Sequence, residues 1–191
     1  NIDIAMLLGL MLFTLLAFLL EYLDNTLKTP EDVDRELDLP TLGIIPKMTK
    51  KNEPEGFTGL ITSSNPKSPI AEAYRTLRTN IGFASVDKQY RTILFSSANP
   101  QDGKSTTAAN LAVAMAQAGK RVVVVDCDLR KPIMHKIFQQ ENSRGFSNLI
   151  MQSLPVNDVV KKVMENLDLI TSGPIPPNPS EMLSSAKTRS L

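Results

Sequence analysis

The sequence predicts an α/β fold in which a mostly parallel sheet is flanked by helices, preceded by one membrane-spanning helix. Three observations lead to this prediction. Residues 2–20 are apolar apart from Asp3. Short apolar runs rich in β-formers occur at 92–95 and 122–125, and a stretch of helical periodicity separates them. Strands that alternate with helices are typical of parallel sheets, because each parallel pair needs a crossover connection.

The N-terminal apolar run matches the length of a membrane span, which needs about 20 residues to cross a hydrocarbon core of about 30 Å. A signal peptide is the first alternative, but the run lacks a basic flank and a small-residue cleavage site. A buried soluble helix is the second, and it would need a larger core than this chain offers. The chain starts without Met and ends just after a helical pattern, so we interpret it as a fragment.

The net charge and the numbers of cysteine and histidine residues argue against two classes of site, one for nucleic acid and one for zinc. The formal net charge is +1, so no global charge argument points to nucleic acid. The sequence has one cysteine and one histidine, which are too few for a zinc site built from the usual Cys and His ligands. We expect Cys127 to be a small packed residue and His135 to lie at the surface.

A phosphate-binding loop is predicted between the run at 92–95 and a helix over 108–118. The segment Ser96–Thr107 reads SSANPQDGKSTT, with Ala98 where the usual pattern has its first glycine. A helix N-terminus favours an anion, Lys104 would reach the β- and γ-phosphates, and Ser105 would ligate Mg²⁺. The predicted nucleotide-binding residues are Gln101, Asp102, Gly103, Lys104, Ser105 and Thr106.

An acidic pair follows the second apolar run. Four valines at 122–125 indicate a strand buried on both faces. Asp126 and Asp128 follow at its carboxyl end, where ligands collect in open α/β sheets, and they would share one side if the strand continued that far. Either carboxylate could reach a bound Mg²⁺ or help deprotonate an attacking hydroxyl. A strand that simply ends in polar residues is the alternative.

The remaining chain divides into a tail at 21–48, a linker at 49–68 and a P-loop domain at 69–191. Thr29 and Pro30 predict a capped helix to about Leu37. The extended piece 42–46 is either a juxtamembrane spacer or a docking strand. Further elements are predicted as helices at 69–81, 132–138, 145–150 and 181–190 (the last capped by Ser180), a strand at 167–171 and a rigid proline-rich loop at 173–179. Glu72, Arg75 and Arg78 form a stripe on the helix 69–81, which is usually a solvated face.

Several of these stretches together resemble the bacterial tyrosine kinases. The loop at 98–106 and the Asp-Cys-Asp-Leu-Arg segment at 126–130 resemble that family's phosphate loop and second acidic motif. Glu72-x-x-Arg75-x-x-Arg78 resembles its subunit-contact motif, and the segment 173–181 resembles a loop typical of the group. The segments 21–28 and 42–46 resemble the last span and cytoplasmic tail of polysaccharide chain-length regulators.

The resemblance implies a membrane-anchored autokinase of the bacterial plasma membrane that regulates capsule or exopolysaccharide synthesis and export. Its cytoplasmic kinase domain would transfer the γ-phosphoryl of Mg-ATP to tyrosines of neighbouring copies in a ring. The resemblance implies that the catalytic residues are Lys104, Asp126 and Asp128. It also implies that the Mg²⁺ ligands are Ser105, Asp126 and Asp128. Glu72, Arg75 and Arg78 would form the oligomer interface, and the tail at 42–48 would dock on a kinase domain. The implied partners are the export machinery, a cognate tyrosine phosphatase and the lipid bilayer, without nucleic acid.

Two features depart from the family pattern. The third motif, an apolar strand ending in Asp-Thr-Pro-Pro, and the C-terminal tyrosine cluster are both expected beyond residue 191, so we expect the fragment alone to be weak or inactive. The alternatives are a partitioning or division-site P-loop ATPase and a non-enzymatic membrane scaffold for polysaccharide assembly. The ATPases carry a second lysine where this chain has Asn99.

Overall fold

A computed structural model describes residues 2–23, 29–47, 59–84 and 90–190. The chain divides into two compact units between Thr41 and Leu42. This division falls inside the tail predicted at 21–48. Half of the predicted linker, residues 49–58, lies outside the described residues.

The first unit contains two helices. Helix α1 (Ile2–Tyr22) buries none of its residues, and its mean hydropathy of 2.4 with its 21 residues makes it long and apolar enough to cross a membrane. Helix α2 (Pro30–Leu37) has the predicted start at Thr29. The Thr29 side chain accepts from the Asp32 amide at 3.2 Å, and the Asp32 carboxylate accepts from the Thr29 amide at 3.1 Å. This reciprocal pair satisfies two backbone donors and confirms the predicted helix.

The second unit is a three-layer arrangement around a small sheet. Its helices are α3 (Ile61–Ser64), α4 (Pro69–Ala84), α5 (Lys104–Gln117), α6 (Met134–Ile137), α7 (Phe146–Gln152), α8 (Pro179–Ser184) and α9 (Ala186–Arg189), and its strands are β1 (Val122–Val125), β2 (Val160–Met164) and β3 (Leu167–Ile170). In the described residues the strand order is β1-β3-β2, with β1 parallel and β2 antiparallel to β3. The sheet is therefore mixed, and the predicted strand at 167–171 is confirmed.

Helix α5 is the centre of the packing. Its residues Ala109 and Val113 join a core cluster with Val124, Leu167 and Leu169 of the sheet. Its other side meets α4 in a second cluster that includes Tyr74, Leu77 and Leu111. The alanine-rich composition of α5 allows close approach on both sides, so the helix that follows the glycine-lysine motif is fixed between two layers.

The segment 92–95 does not form the predicted strand. It has no ladder partner among the described residues, and Leu94 is 89% exposed. The prediction that all four valines of β1 are buried is also wrong: only Val124 is buried, and Val123 is 54% exposed. Both segments line a cavity of about 2030 Å³, and no described strand covers them there. The edge of β1 away from β3 thus has no strand partner in the part of the chain described.

The C-terminal prediction needs a correction as well. The helix predicted at 181–190 is two short helices, because Ser185 adopts an extended conformation and its side chain caps α9 at the Thr188 amide. Asn178, rather than Ser180, occupies the N-cap of α8.

Three smaller expectations changed. Part of the predicted linker is folded, since Ile61 and Thr62 are buried in α3. Cys127 is exposed rather than packed. Strand β2 was not predicted, because Lys161 and Lys162 interrupt its apolar pattern.

Candidate functional site

The phosphate-loop motif ends in a glycine with left-handed backbone geometry. Gly103 has φ 87° and ψ 11° and is the N-cap of α5, which begins at Lys104. The first helical hydrogen bond runs from the Thr107 amide to the Gly103 carbonyl, at 2.8 Å. The amides of the first turn, which include those of Ser105 and Thr106, precede that bond and have no carbonyl partner within the helix. This is the arrangement that binds phosphate at helix N-termini.

The loop before this glycine is closed by its own polar groups. The Asn99 amide donates to Asp102 Oδ2 at 2.8 Å, and the Ser97 hydroxyl donates to the Asn99 carbonyl at 2.9 Å. Gln101 also has a positive φ, of 70°. The six predicted nucleotide-binding residues are contiguous here, and the Asp102 side chain supports the loop's own backbone.

The lysine of the loop meets the acidic segment after β1. Lys104 Nζ lies 2.8 Å from Asp128 Oδ2, and both side chains are partly exposed. Asp128 Oδ1 accepts from the backbone amides of Arg130 and Lys131, at 3.3 and 2.9 Å. Burial alone would raise the pKa of Asp128, but the bonds from Lys104 and the two amides outweigh it and lower that pKa.

The neighbouring carboxylate is more deeply placed. Asp126 is 5% exposed, and its two oxygens accept from the amides of Asp128 and Met134, at 3.1 and 3.2 Å. Burial raises the pKa of Asp126, and these two bonds offset only part of that effect. The ladder continues one bond beyond β1, from the Asp126 amide to the Ile170 carbonyl, and then the chain turns. The expected alternation to Asp128 therefore does not apply, and the Asp128 backbone amide donates to the Asp126 carboxylate instead.

The oxygen-rich donor set suits a hard cation. Ser105 is the second residue of α5, and Asp126 and Asp128 follow the carboxyl end of β1; all three line the same cavity. Hydroxyl and carboxylate oxygens with phosphate are typical Mg²⁺ ligands. Within the described ranges, no group of three or more His, Cys, Asp and Glu side chains could hold a metal by itself.

The two arginines of the charged stripe on α4 point in different directions. Arg75 pairs with Glu72 at 2.8 Å and donates to the Pro66 carbonyl at 2.6 Å, at the surface. Arg78 instead turns to α5, where its Nη1 donates to the Ala114 carbonyl at 3.0 Å. Sequence spacing alone did not distinguish these directions.

Helix α4 also contacts the start of α5. Tyr74 is 3% exposed and packs in the α4–α5 cluster with Leu77 and Leu111. Burial raises the pKa of Tyr74, and the nearby Thr107 side chain lowers it by less. Tyr74 therefore packs α4 against the helix that follows the phosphate loop.

The tail segment 42–47 lies on α4 of its own unit. The Asn80 side chain donates to the Leu42 carbonyl at 2.8 Å. Gly43 lies against Leu77, and Ile45 packs on the α4–α5 cluster. The segment is extended but pairs with no strand of the described sheet. The spacer interpretation is therefore wrong for these residues, which dock on the folded unit.

A buried polar network behind the loop was missed by sequence reasoning. Asn110 is fully buried, and its Oδ1 accepts from the amide and the hydroxyl of Thr62, both at 2.9 Å. Its Nδ2 donates to the carbonyls of Gly59 and Thr106, at 2.6 and 2.9 Å. The available signal was a single asparagine within the otherwise apolar stretch 108–116.

Comparisons with known proteins agree on one family. Residues 90–185 match the family described as AAA domain. The chain is 50% identical over 133 residues to tyrosine-protein kinase YwqD of Bacillus subtilis, covering 69% of this chain and 56% of that protein. It is 32% identical over 196 residues to tyrosine-protein kinase ptk of Acinetobacter johnsonii, covering 96% of this chain and 26% of that one.

Among solved structures, the chimerical protein CapA2B2 superposes with a TM-score of 0.75 at 45% identity, covering 85% of this chain and 68% of the other. The chain therefore spans a little over half of the length of YwqD and about a quarter of ptk.

Proposed function

Because this chain belongs to the AAA-domain family and to the bacterial tyrosine kinases within it, we propose that the protein is an ATP-dependent protein tyrosine autokinase that regulates capsule or exopolysaccharide synthesis and export. The observation that carries the proposal is the contact between Lys104 and Asp128 at the head of α5. It joins a phosphate-binding lysine to a carboxylate that can hold a metal or accept a proton, the two groups that phosphoryl transfer requires.

Each site residue has a role in this proposal. Amides of residues 101–106 and the Lys104 ammonium bind the phosphates of ATP. Ser105 and the two aspartates complete the Mg²⁺ shell, and one aspartate accepts the proton of the attacking tyrosine hydroxyl. Asp128 is the more accessible carboxylate and Asp126 the more buried one, which supports different tasks for them.

Self-association supplies the tyrosine substrate. We propose that kinase domains form a ring in which α4 contributes the subunit contact through Glu72 and Arg75, whose side chains lie at the surface. Arg78 supports the same contact indirectly, because its hydrogen bond to the Ala114 carbonyl holds α4 against α5. The docked tail at 42–47 then stabilises the α4 surface.

Helix α1 supports a proposal for the cellular location of the protein. We propose that α1 spans the bacterial plasma membrane, with residues 21–48 as the juxtamembrane tail and the domain from residue 69 in the cytoplasm, where ATP is available. Components of polysaccharide export and a tyrosine phosphatase are the proposed partners.

The cavity beside β1 is bordered by the segment 92–95 and by β1, and both expose apolar side chains such as Leu94 and Val123. We propose that an apolar extended segment binds there, because it would pair with the free edge of β1 and cover these side chains.

The test uses the complete gene product, purified with its membrane helix and incubated with Mg-ATP. Phosphotyrosine is mapped by mass spectrometry in the parent, in Lys104→Met, and in Lys136→Met as an exposed-lysine control. We expect phosphotyrosine in the parent and the control but not in Lys104→Met. ATP turnover without phosphotyrosine in the parent would instead favour the assembly ATPase.

A further inference from the structure

We propose that Asn110 is a positioning residue of the phosphate loop, and that it couples nucleotide binding to the docking of residues 59–62 behind that loop. The inference deepens the proposed function and rests on it, because ATP is the proposed ligand of the loop. Three observations carry it: the four hydrogen bonds of the Asn110 side chain, the complete burial of Asn110 and Thr62, and the contact of Gly59 with Thr106.

Asn110 holds the head of α5 through the carbonyl of Thr106. Its Nδ2 donates to that carbonyl at 2.9 Å, one turn earlier in the same helix. Thr106 is the last of the residues 101–106 whose amides are proposed to bind phosphate. The orientation of the peptide groups in this turn decides where the amides point. A side-chain donor on the Thr106 carbonyl, in addition to the backbone pattern of the helix, therefore fixes the loop from behind.

The same side chain caps the short helix α3. Asn110 Oδ1 accepts from the amide and the hydroxyl of Thr62, both at 2.9 Å. The Thr62 amide belongs to the first turn of α3, which has no acceptor of its own, and the N-cap residue Leu60 makes no side-chain bond there. Asn110 Nδ2 also donates to the Gly59 carbonyl at 2.6 Å. One side chain of α5 therefore holds both residues that flank the start of α3.

Gly59 lies directly against Thr106. A methyl group at Gly59 would lie 3.8 Å from the Thr106 methyl carbon and 4.0 Å from the Thr106 hydroxyl oxygen. The segment that is hydrogen-bonded to Asn110 thus also borders the side chain of a proposed nucleotide-binding residue. A displacement of residues 59–62 would reach Thr106 by two routes, direct contact and the Asn110 amide.

The place of this segment in the chain gives the coupling a use. Residues 59–62 follow the predicted linker, and the linker follows the tail at 42–47 that docks on α4. The segment therefore connects the phosphate loop to the part of the chain that leads from the proposed membrane helix. If docking of the segment strengthens nucleotide binding by some factor, nucleotide binding must strengthen docking by the same factor.

The first test measures the affinity of the complete gene product for Mg-ADP by calorimetry. Asn110→Ala should weaken this affinity by about 10- to 100-fold, as the loss of an outer-shell partner does at other sites. Thr62→Val removes only the hydroxyl donor and should weaken affinity less, whereas Thr62→Ser keeps the hydroxyl and should restore it. The control is Val113→Ala, which removes buried apolar contacts of the same helix against the sheet. It should lose stability in chemical denaturation but keep the Mg-ADP affinity of the parent.

The second test measures amide hydrogen exchange with and without Mg-ADP. In the parent and in Val113→Ala, the nucleotide should slow exchange in residues 59–64, and Asn110→Ala should lose this protection. If Asn110→Ala and Val113→Ala bind Mg-ADP alike, the network only supports the fold and the inference is wrong. If Asn110→Ala does not fold, Thr62→Val decides, because parental affinity in that variant overturns the inference. If the parent forms no phosphotyrosine, the proposed function fails, and the Mg-ADP affinities still decide the role of Asn110.

Discussion

Lys104 Nζ contacts Asp128 Oδ2 at 2.8 Å, and this contact joins the first residue of α5 to the turn that follows β1. The two residues are 24 positions apart in sequence, and helix α5 and strand β1 connect them. In the proposed function, Lys104 would donate to phosphate and Asp128 would bind Mg²⁺, so each would change its partner when a nucleotide binds.

The first prediction concerns the pH dependence of this pair. Because the folded protein lowers the pKa of Asp128, the ionised carboxylate stabilises the fold above the ordinary carboxyl range, and this stabilisation is lost as pH falls through the lower folded value. Asp128→Asn should cost below about 1 kcal/mol at neutral pH, since both side chains are partly exposed. The difference in thermal unfolding from the parent should shrink below about pH 4.

The control for this prediction is Asp158→Asn, which removes an exposed carboxylate from a 3₁₀ turn away from the site. It should change stability little at any pH. A penalty for Asp128→Asn that stays constant down to acid pH would mean that the ion pair is not its cause.

The second prediction separates backbone strain from phosphate binding at Gly103. Gly103→Ala places a side chain at φ 87°, where an L-residue costs about 1–2 kcal/mol. Gly119→Ala is a matched control, since Gly119 has φ 80° and also has open space around its Cβ position. Chemical denaturation should show similar losses for both variants, but nucleotide titration should show weaker binding only for Gly103→Ala. Equal nucleotide affinity in the two variants would contradict a special role for the loop glycine.

Features that depend on residues close together in sequence were predicted well. The capped start of α2 at Thr29, the glycine before α5 and the strand at β3 depend on neighbouring residues, and all were predicted. Contacts between distant positions were not. Arg78 with Ala114 is 36 residues apart and Arg130 with Ser180 is 50, and no local pattern indicates either. The segment at 92–95 failed for a related reason, because a strand needs a partner that local propensity does not provide.

The third prediction tests the buried network of Asn110. Asn110→Ala leaves the amide and hydroxyl of Thr62 and the carbonyls of Gly59 and Thr106 without their partner, in a fully buried position. We expect a loss of about 3 kcal/mol in the free energy of unfolding. Gln117→Ala, at an exposed position of the same helix, should have little effect. A small loss for Asn110→Ala would mean that water replaces the amide, which the close packing of α3 on α5 opposes.

The fourth prediction tests the docking of the tail on α4. Ile45 is partly buried against the α4–α5 cluster, whereas its neighbour Ile44 is 67% exposed. Ile45→Ser should remove about 1 kcal/mol of apolar burial and release the segment 42–47. Amide hydrogen exchange should then become faster in this segment and at the adjoining face of α4, near Leu77. Ile44→Ser makes the same chemical change one residue away and should leave exchange unaltered. If both variants exchange alike, the hydrogen bond from Asn80 to Leu42, rather than apolar packing, holds the tail, and Asn80→Ala should release it instead.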